Sequence, residues 1–265
     1  MNPLWLARNI SNFWPIRASG VDFVRSLLWI YSAKLPKSLR RAEQTIGFVY
    51  PPPLGEIRLL LRSNSGSDSF IHGEVFGHQY YQLSLSRPPK TILDLGANTG
   101  MTAIYFGRVY PEARIACVEP VPANLRVLEM NLALNAVRAD VFAAAIDVKD
   151  GSLQMELGPM DYGHKVSSDS IGTTGKTVEV GALSIPTIMH RLGWERIGLL
   201  KVDIEGHEKV LLSTDCEWLR YVDTMCVECH DGFGESDLVR ISSLFGFLPP
   251  RKLPGIWLMV RKVDK

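Results

Sequence analysis

From residue 91 onward, short apolar runs alternate with stretches whose apolar residues recur every three or four positions. The first pattern fits buried strands and the second fits helices with one inward face. Strands are predicted at 91–95, 114–118, 140–145, 198–203 and 223–228, and helices at 101–109, 122–135, 208–213 and 236–245. Such alternation implies an α/β chain whose parallel sheet is covered by helices on both faces, and right-handed crossovers make it doubly wound, or Rossmann-like. The ligand crevice of such a sheet lies at the carboxyl ends of its strands. At the C-terminus the rhythm breaks: residues 247–248, the turn-rich PPRKLPG and residues 256–261 read as an antiparallel hairpin that closes the sheet.

Two segments stand outside this pattern. Between the third and fourth strands, residues 158–176 are rich in Gly, Ser, Thr and Asp and are flanked by predicted strands at 152–157 and 177–180. A polar loop of that length inside a compact domain is expected to serve the site, as a lid. The first 45 residues interleave Trp5, Phe13, Trp14, Phe23 and Trp29 with basic side chains. They are read as a helical extension (1–45) on one domain spanning 46–265. Packing on the parent domain is the plainest role for that extension, and an interfacial helix, a subunit contact or a cap over the site fits the same composition.

Charge and cysteine content change this picture little. A net charge of +1 gives no pull toward nucleic acid. Residues 1–45 nevertheless carry Arg8, Arg17, Arg25, Lys34, Lys37, Arg40 and Arg41 against only Asp22 and Glu43. Arginines interrupt every apolar run there, so no export signal and no membrane span are expected, and a cytoplasmic location follows. A weak peripheral membrane contact through this segment and a homo-oligomer both stay open. Four cysteines in a chain this long are expected to be reduced thiols. Cys226 and Cys229 match the C-x-x-C-H pattern with His230, but residues three apart on a strand face opposite ways, so haem or zinc is not expected.

The chemistry concentrates at strand ends. TILDLGANTG (91–100) is a strand, a glycine turn and a helix start, with Ala97, Asn98 and Thr99 between Gly96 and Gly100. Dinucleotide sites want G-x-G-x-x-G, and the carboxylate of Asp94 would repel a pyrophosphate there. The ammonium and sulfonium of S-adenosylmethionine would instead be attracted. Glu119, before Pro120 at the end of the next strand, can accept from a ribose edge, with one hydroxyl on each oxygen. An adenine ring fits the third strand end near Ile146, where Asp147 could meet its amino group. In LLKVDIEGHEKVLL (199–212), Lys201 and Asp203 share a strand face and Glu205 continues the line. Glu228 and His230 come from the next strand end. Candidate catalytic residues are Asp203, Glu205, His207, Glu228 and His230, with Asp203 also beside the cofactor and Lys201 as an ion-pair partner. The same oxygens suit magnesium, although a metal-free site is favoured.

ILDLGANTGMTAIYF, CVEPVPANLRVLEMNL, LLKVDIEGHEKVLL and VECHD resemble the FkbM family of S-adenosylmethionine-dependent methyltransferases, over about residues 56–231 and including the approach segment 68–81. The resemblance implies a class I methyltransferase fold with a seven-stranded sheet, and O-methylation of a sugar, glycan or related natural product. By position it implies that Asp94, Gly96 and Gly100 hold the methionine end, that Glu119 holds the ribose, and that Asp203, Glu205 and Glu228 border the acceptor. Ser184-Ile185-Pro186 and Val121 depart from the family pattern. A nicotinamide dehydrogenase, a non-catalytic adenosyl-ligand module and an N-methyltransferase remain rivals at this point.

Overall fold

The computed structural model describes residues 3–32, 36, 43–63, 66–156, 165–166 and 177–262. Most of the 158–176 insert, and with it the lid reading, lies outside the described residues. Two helices, α1 (Pro3–Phe13) and α2 (Gly20–Ser32), precede a hairpin of β1 (Glu43–Tyr50) and β2 (Gly55–Arg62). Then come α3 (Ser67–His72) and a π-helical turn at Gly73–Gly77. The doubly wound part follows as β3 (Thr91–Leu95), α4 (Met101–Val109), β4 (Arg114–Val118), α5 (Pro122–Leu134) and β5 (Ala139–Phe142). After β6 (Ala145–Ile146), β7 (Gly151–Glu156), β8 (Lys165–Val166) and β9 (Thr177–Leu183) come α6 (Ile185–Leu192), β10 (Ile197–Val202) and α7 (Glu208–Leu211). The chain continues with β11 (Val222–Val227), α8 (Glu235–Phe245), β12 (Arg251–Lys252) and β13 (Trp257–Val260).

Seven strands form the main sheet in the order β12-β13-β11-β10-β3-β4-β5. From β11 to β5 all neighbours are parallel, and β13 runs antiparallel to both β11 and β12. The order reverses between β3 and β10, which places the ligand crevice above their carboxyl ends. This is the class I methyltransferase arrangement, with its antiparallel C-terminal hairpin.

Alternation along the strands separates two cores. Leu93, Leu95, Ala116, Val118, Leu200 and Val202 pack on the face covered by α6 and α8. Ile92, Ile115, Cys117, Leu199 and Cys226 face the side covered by α4, α5 and the β1-β2 hairpin. On that second face the register lines up Cys117, Asp94, Lys201 and Cys226 across four strands. The charged pair therefore sits in the middle of the sheet.

The structure departs from the sequence pattern at three places. The strand expected at 140–145 ends at Phe142, where Ala144 N–H bonds back to the Phe142 carbonyl. Ala145 and Ile146 then pair with β9 in a separate four-stranded sheet, β6-β9-β7-β8. The helix at 185–192 had no counterpart in the sequence reading. Ser184 caps it, accepting from Thr187 N–H at 3.4 Å, and Pro186 occupies the first turn, where no amide hydrogen is needed. On α5, Leu128 and Leu132 are buried and Leu125 only half-buried, while Asn124, Asn131 and Asn135 are buried. Asn131 accepts from Leu60 N–H at 2.7 Å, and Asn135 accepts from Arg58 N–H at 3.0 Å and donates to its carbonyl at 2.7 Å. These side chains satisfy the outer edge of β2 as a neighbouring strand would.

The extension is anchored by Phe13 and Trp29, both buried against the hairpin and α3. Trp29 also donates its indole N–H to the Arg62 carbonyl at 3.0 Å. Among the described residues no helix is long and apolar enough to cross a membrane.

Candidate functional site

A cavity opens where the order of the sheet reverses. Its wall includes Gly96, Ala97 and Asn98 from the turn after β3, and Glu119 and Pro120 from the end of β4. Ile146 closes one side, and Asp203, Glu205, His207, Glu228 and His230 form the rim beyond β10 and β11. Main-sheet strands that end at one level deliver most of these residues, and Ile146 comes from β6 of the second sheet, which is why positions remote in sequence meet here.

The glycine turn is shaped by its neighbours. Gly96 and Ala97 donate to the Val118 carbonyl at 3.0 and 3.1 Å, and Asn98 donates to Glu119 at 2.9 Å. Gly96 has φ +74°, and a Cβ there would lie 1.9 Å from the Asp203 carbonyl oxygen. No other side chain fits. Asn98 Oδ1 is buried with no hydrogen-bond partner among the described residues. Thr99 and Gly100 lie behind the wall, Thr99 passing its carbonyl to Asn131 at 2.9 Å and Gly100 starting α4.

Asp94 does not reach the wall either, and the expectation that it faces the ligand is corrected. It is fully buried, with Oδ1 3.0 Å from Lys201 Nζ. Lys201 also donates to the carbonyls of Leu95 at 3.2 Å and Gly96 at 2.9 Å, and lies 3.4 Å from Asp203. Burial opposes the lysine charge, but Asp94 and Asp203 outweigh it and hold its pKa well above the usual range. The charge that was read as steering a cationic ligand is thus neutralised within the sheet. Asp94 is thus linked to the glycine turn through Lys201, which bonds the Leu95 and Gly96 carbonyls.

Glu119 is buried and already well supplied with donors. Oε1 accepts from Val121 N–H at 2.9 Å and Asn124 Nδ2 at 3.1 Å, and Oε2 accepts from Asn98. Burial raises its pKa against the pull of these bonds. A carboxylate offers about four acceptor directions, so one remains, on Oε2, rather than one on each oxygen. Asn124 continues the chain of contacts: it accepts from Arg62 at 2.8 Å, and Arg62 clasps the buried Asp68 at 2.7 Å. None of these partners was anticipated, although Arg62 and Asp68 are the kind of charges that are buried only as a pair.

Glu208 decodes the K-x-D-x-E-G-x-E spacing. Fully buried, it reaches back to accept from Ile204 N–H at 3.0 Å and Gly206 N–H at 2.9 Å, and it bonds His230 Nδ1 at 3.1 Å. These bonds hold a turn in which Glu205 has φ +55° and Gly206 φ +106°. Glu205 is thereby directed to the cavity, where His230 Nε2 lies 4.0 Å from it and 3.7 Å from Glu228. Hydrogen bonds that His230 donates to Glu208 and Glu228 push it up to about 11, so it is an imidazolium at neutral pH. His207, undecided from sequence, is mostly buried and bonds Asp147 at 2.9 Å, which diverts that carboxylate from the adenine role suggested for it.

Glu74, on the π-helical turn, is the acid that sequence reasoning missed. It lines the cavity, and burial with Glu228 and Asp203 nearby pushes it up to about 8. Asp203 is driven up to about 7 by burial and by Glu228 and Glu205, against the opposing pull of Lys201 and His230. Asp203, Glu228 and His230 each offer a ligand atom, all within 4.8 Å of one another. The rim can therefore share protons and, by its donor set, could also receive one divalent cation. All four cysteines are free thiols, and the C-x-x-C pair splits, with Cys226 buried in the sheet and Cys229 half-exposed.

Comparison with known proteins agrees with this geometry. The profile described as "Methyltransferase FkbM domain" matches residues 94–245. Methyltransferase sdnD of Sordaria araneosa is 31% identical over 196 residues, covering 62% of this chain and 76% of that protein. Methyltransferase 1 of Beauveria bassiana is 28% identical over 192 residues, covering 63% and 75%. The 31-O-demethyl-FK506 methyltransferase FkbM of Streptomyces tacrolimicus is 23% identical over 201 residues, covering 63% and 76%. Among solved structures, a methyltransferase FkbM from Methylobacillus flagellatus KT aligns at 15% identity with TM-score 0.49, over 91% of this chain and 60% of that one. Strand order and the sequence match, rather than that modest likeness, carry the assignment: the chain is an S-adenosylmethionine-dependent methyltransferase and belongs to the FkbM family.

Proposed function

We propose that the protein methylates a hydroxyl oxygen of a sugar, glycan or related natural product, with Asp203 as the general base. The observation that carries this reading is the placement of Asp203. It is on the cavity wall, its backbone touches the Gly96 turn, and its carboxyl is raised to about 7. A base poised near the working pH suits a hydroxyl, which is a poor nucleophile until its proton is drawn off. A further support is the Streptomyces tacrolimicus relative, a 31-O-demethyl-FK506 methyltransferase by name.

The cavity residues fit the cofactor. The unpartnered Asn98 Oδ1 would accept from the ammonium of the methionine end, with Gly96 and Ala97 letting the backbone approach it. The free acceptor direction on Glu119 Oε2 would take one ribose hydroxyl, and Pro120 and Ile146 would pack on the adenine. Bound there, S-adenosylmethionine supplies an electrophilic methyl on a sulfonium. Asp203 would hold the acceptor hydroxyl and take its proton as that oxygen accepts the methyl group. Glu205 and Glu228 border the acceptor, and the His230 imidazolium balances their charge. Because that imidazolium already puts a positive charge among the three carboxylates, we keep the metal-free reading. Positioning of the two reactants is the larger contribution, with effective molarities on the order of 10⁵–10⁸ M.

Residues 1–45 and 46–265 remain the proposed extension and methyltransferase domain, and the free thiols support a reducing, cytoplasmic setting. The test is turnover with methyl-labelled cofactor across a panel of sugar and polyketide hydroxyls, with the methylated atom assigned by NMR. An O-methyl product supports the reading. An N-methyl or C-methyl product, or tight cofactor binding with no transfer to any acceptor, overturns it. Rate loss in EDTA that magnesium restores would overturn the metal-free part alone.

A further inference from the structure

We propose that the outer face of α1 and α2 is a docking surface for an anionic lipid bilayer. The helix α2 is unusual in what it turns outward. Val21, Val24 and Leu28 fall on one face at three- and four-residue spacing and are 60%, 54% and 52% exposed, whereas Ser26 is buried. The inward serine is satisfied within the helix, donating to the carbonyls of Asp22 and Phe23 at 2.9 Å. Ile10 and Trp14 from α1 and the turn after it add to the exposed apolar side chains of the extension. Solvent alone does not explain such an inversion, since an ordinary surface helix would place its serines outside.

Charge selects the occupant. Arg8 and Arg25 are exposed on these helices, and Arg17 stacks over the exposed Trp14 at 3.6 Å. Both acids of the extension are engaged within the chain. Asp22 accepts from Gly47 N–H at 3.1 Å and from the Ser19 hydroxyl, and lies 3.8 Å from Arg25, while Glu43 pairs with Arg126. A second copy meeting this face would bring like charges together. A bilayer with anionic headgroups attracts the basic side chains and accepts Val21, Val24, Leu28 and Trp14 at the boundary of its acyl region. With the reducing setting proposed above, the surface would be the cytoplasmic leaflet.

The test is co-sedimentation of the full chain with phosphatidylcholine vesicles, with and without 30% phosphatidylglycerol, monitored also by tryptophan emission. Binding at least tenfold stronger to the anionic vesicles, weakened in 0.5 M NaCl and accompanied by a blue shift, is expected. The double variant Val24→Glu/Leu28→Glu should lose the binding while keeping its cofactor affinity and thermal midpoint, since both side chains point away from the core. No sedimentation of the parent chain would overturn the proposal, and so would equal binding of the variant. A parent dimer that the variant dissolves, with no lipid binding by either, would instead make the face an interface between copies. None of these readouts depends on the methyl acceptor, so the proposal can fail independently of the assigned reaction.

Discussion

Asn124 donates to Glu119 at 3.1 Å while accepting from Arg62 at 2.8 Å. The carboxylate at the end of β4 is therefore held by a chain of contacts that runs through α5 to the hairpin and α3. Replacing Asn124 by Asp keeps an acceptor for Arg62 but sets a second carboxylate against Glu119. Loss of a buried bond to a charged group is worth about 1.5–3 kcal/mol, so cofactor Kd should rise roughly 10- to 100-fold in calorimetric titration. An unchanged Kd would show that Glu119 needs no orientation from this side.

Lys201 and Asp94 make a buried pair whose separation would be costly. Lys201→Met leaves Asp94 charged and unpartnered in the sheet, and breaking such a pair costs about 3–5 kcal/mol, a large part of a typical domain's stability. The double variant Lys201→Met/Asp94→Asn removes both charges and should recover at least 1 kcal/mol of the summed single losses in denaturant unfolding. Additive losses would mean that the two side chains do not depend on each other.

Asp203→Asn tests the chemistry. Removal of the base should lower kcat by roughly 10²–10⁴ with little change in cofactor Kd. The parent enzyme should gain rate as pH rises through about 7, because the Asp203 carboxyl must lose its proton to act. The variant should lose that limb of the pH profile. A variant with the parent's pH dependence would transfer the role to another group on the rim.

Glu74 makes stability depend on pH. Its folded pKa of about 8 is above the ordinary carboxyl value of 4.5, so the folded state binds more protons between these limits. Its contribution is complete below pH 4.5 and is lost as pH rises through 8. The raised His230 acts in the same direction above pH 6.5, whereas the depression of His72 to about 4 by burial has its full effect below that point. The cofactor-free thermal midpoint should therefore fall from pH 6.5 to 8.5. Glu74→Gln should flatten that fall, and a slope equal to the parent's would remove Glu74 from the account.

Much of the scaffold was legible because strands buried on both faces write themselves as apolar runs. β3, α4 and β4 match their predicted bounds, and an antiparallel C-terminal hairpin forms, but its first strand, Arg251–Lys252, lies within the segment expected to turn, and of the expected pairing only the Phe247–Arg261 bridge is present. The rim residues were legible for the same reason, since acids at strand ends have few structural uses. Contacts at long range were not. Asn124, Asn131 and Asn135 look like an exposed helix face until β2 is laid against them. Glu74 sits on a π-helical turn, which no spacing rule announces. Asp94 was misread because a strand position tells which face a carboxylate takes but not which cation waits beside it on the neighbouring strand.

The contact between Gly96 and the Asp203 carbonyl has a consequence for how this enzyme can evolve or be engineered. The loop assigned to the methyl donor and the residue assigned to the proton acceptor meet main chain to main chain, with no side chain between them. The spacing between that loop and the Asp203 main chain works as a fixed gauge, which side-chain changes elsewhere on the rim cannot widen or narrow. Glu74, Glu205 and Glu228 line the same cavity without entering this contact, so changes at them leave the spacing of the two main chains as it is. An alanine at position 96 would put both functions out of alignment at once, and no compensating change of side chain elsewhere on the rim could restore it.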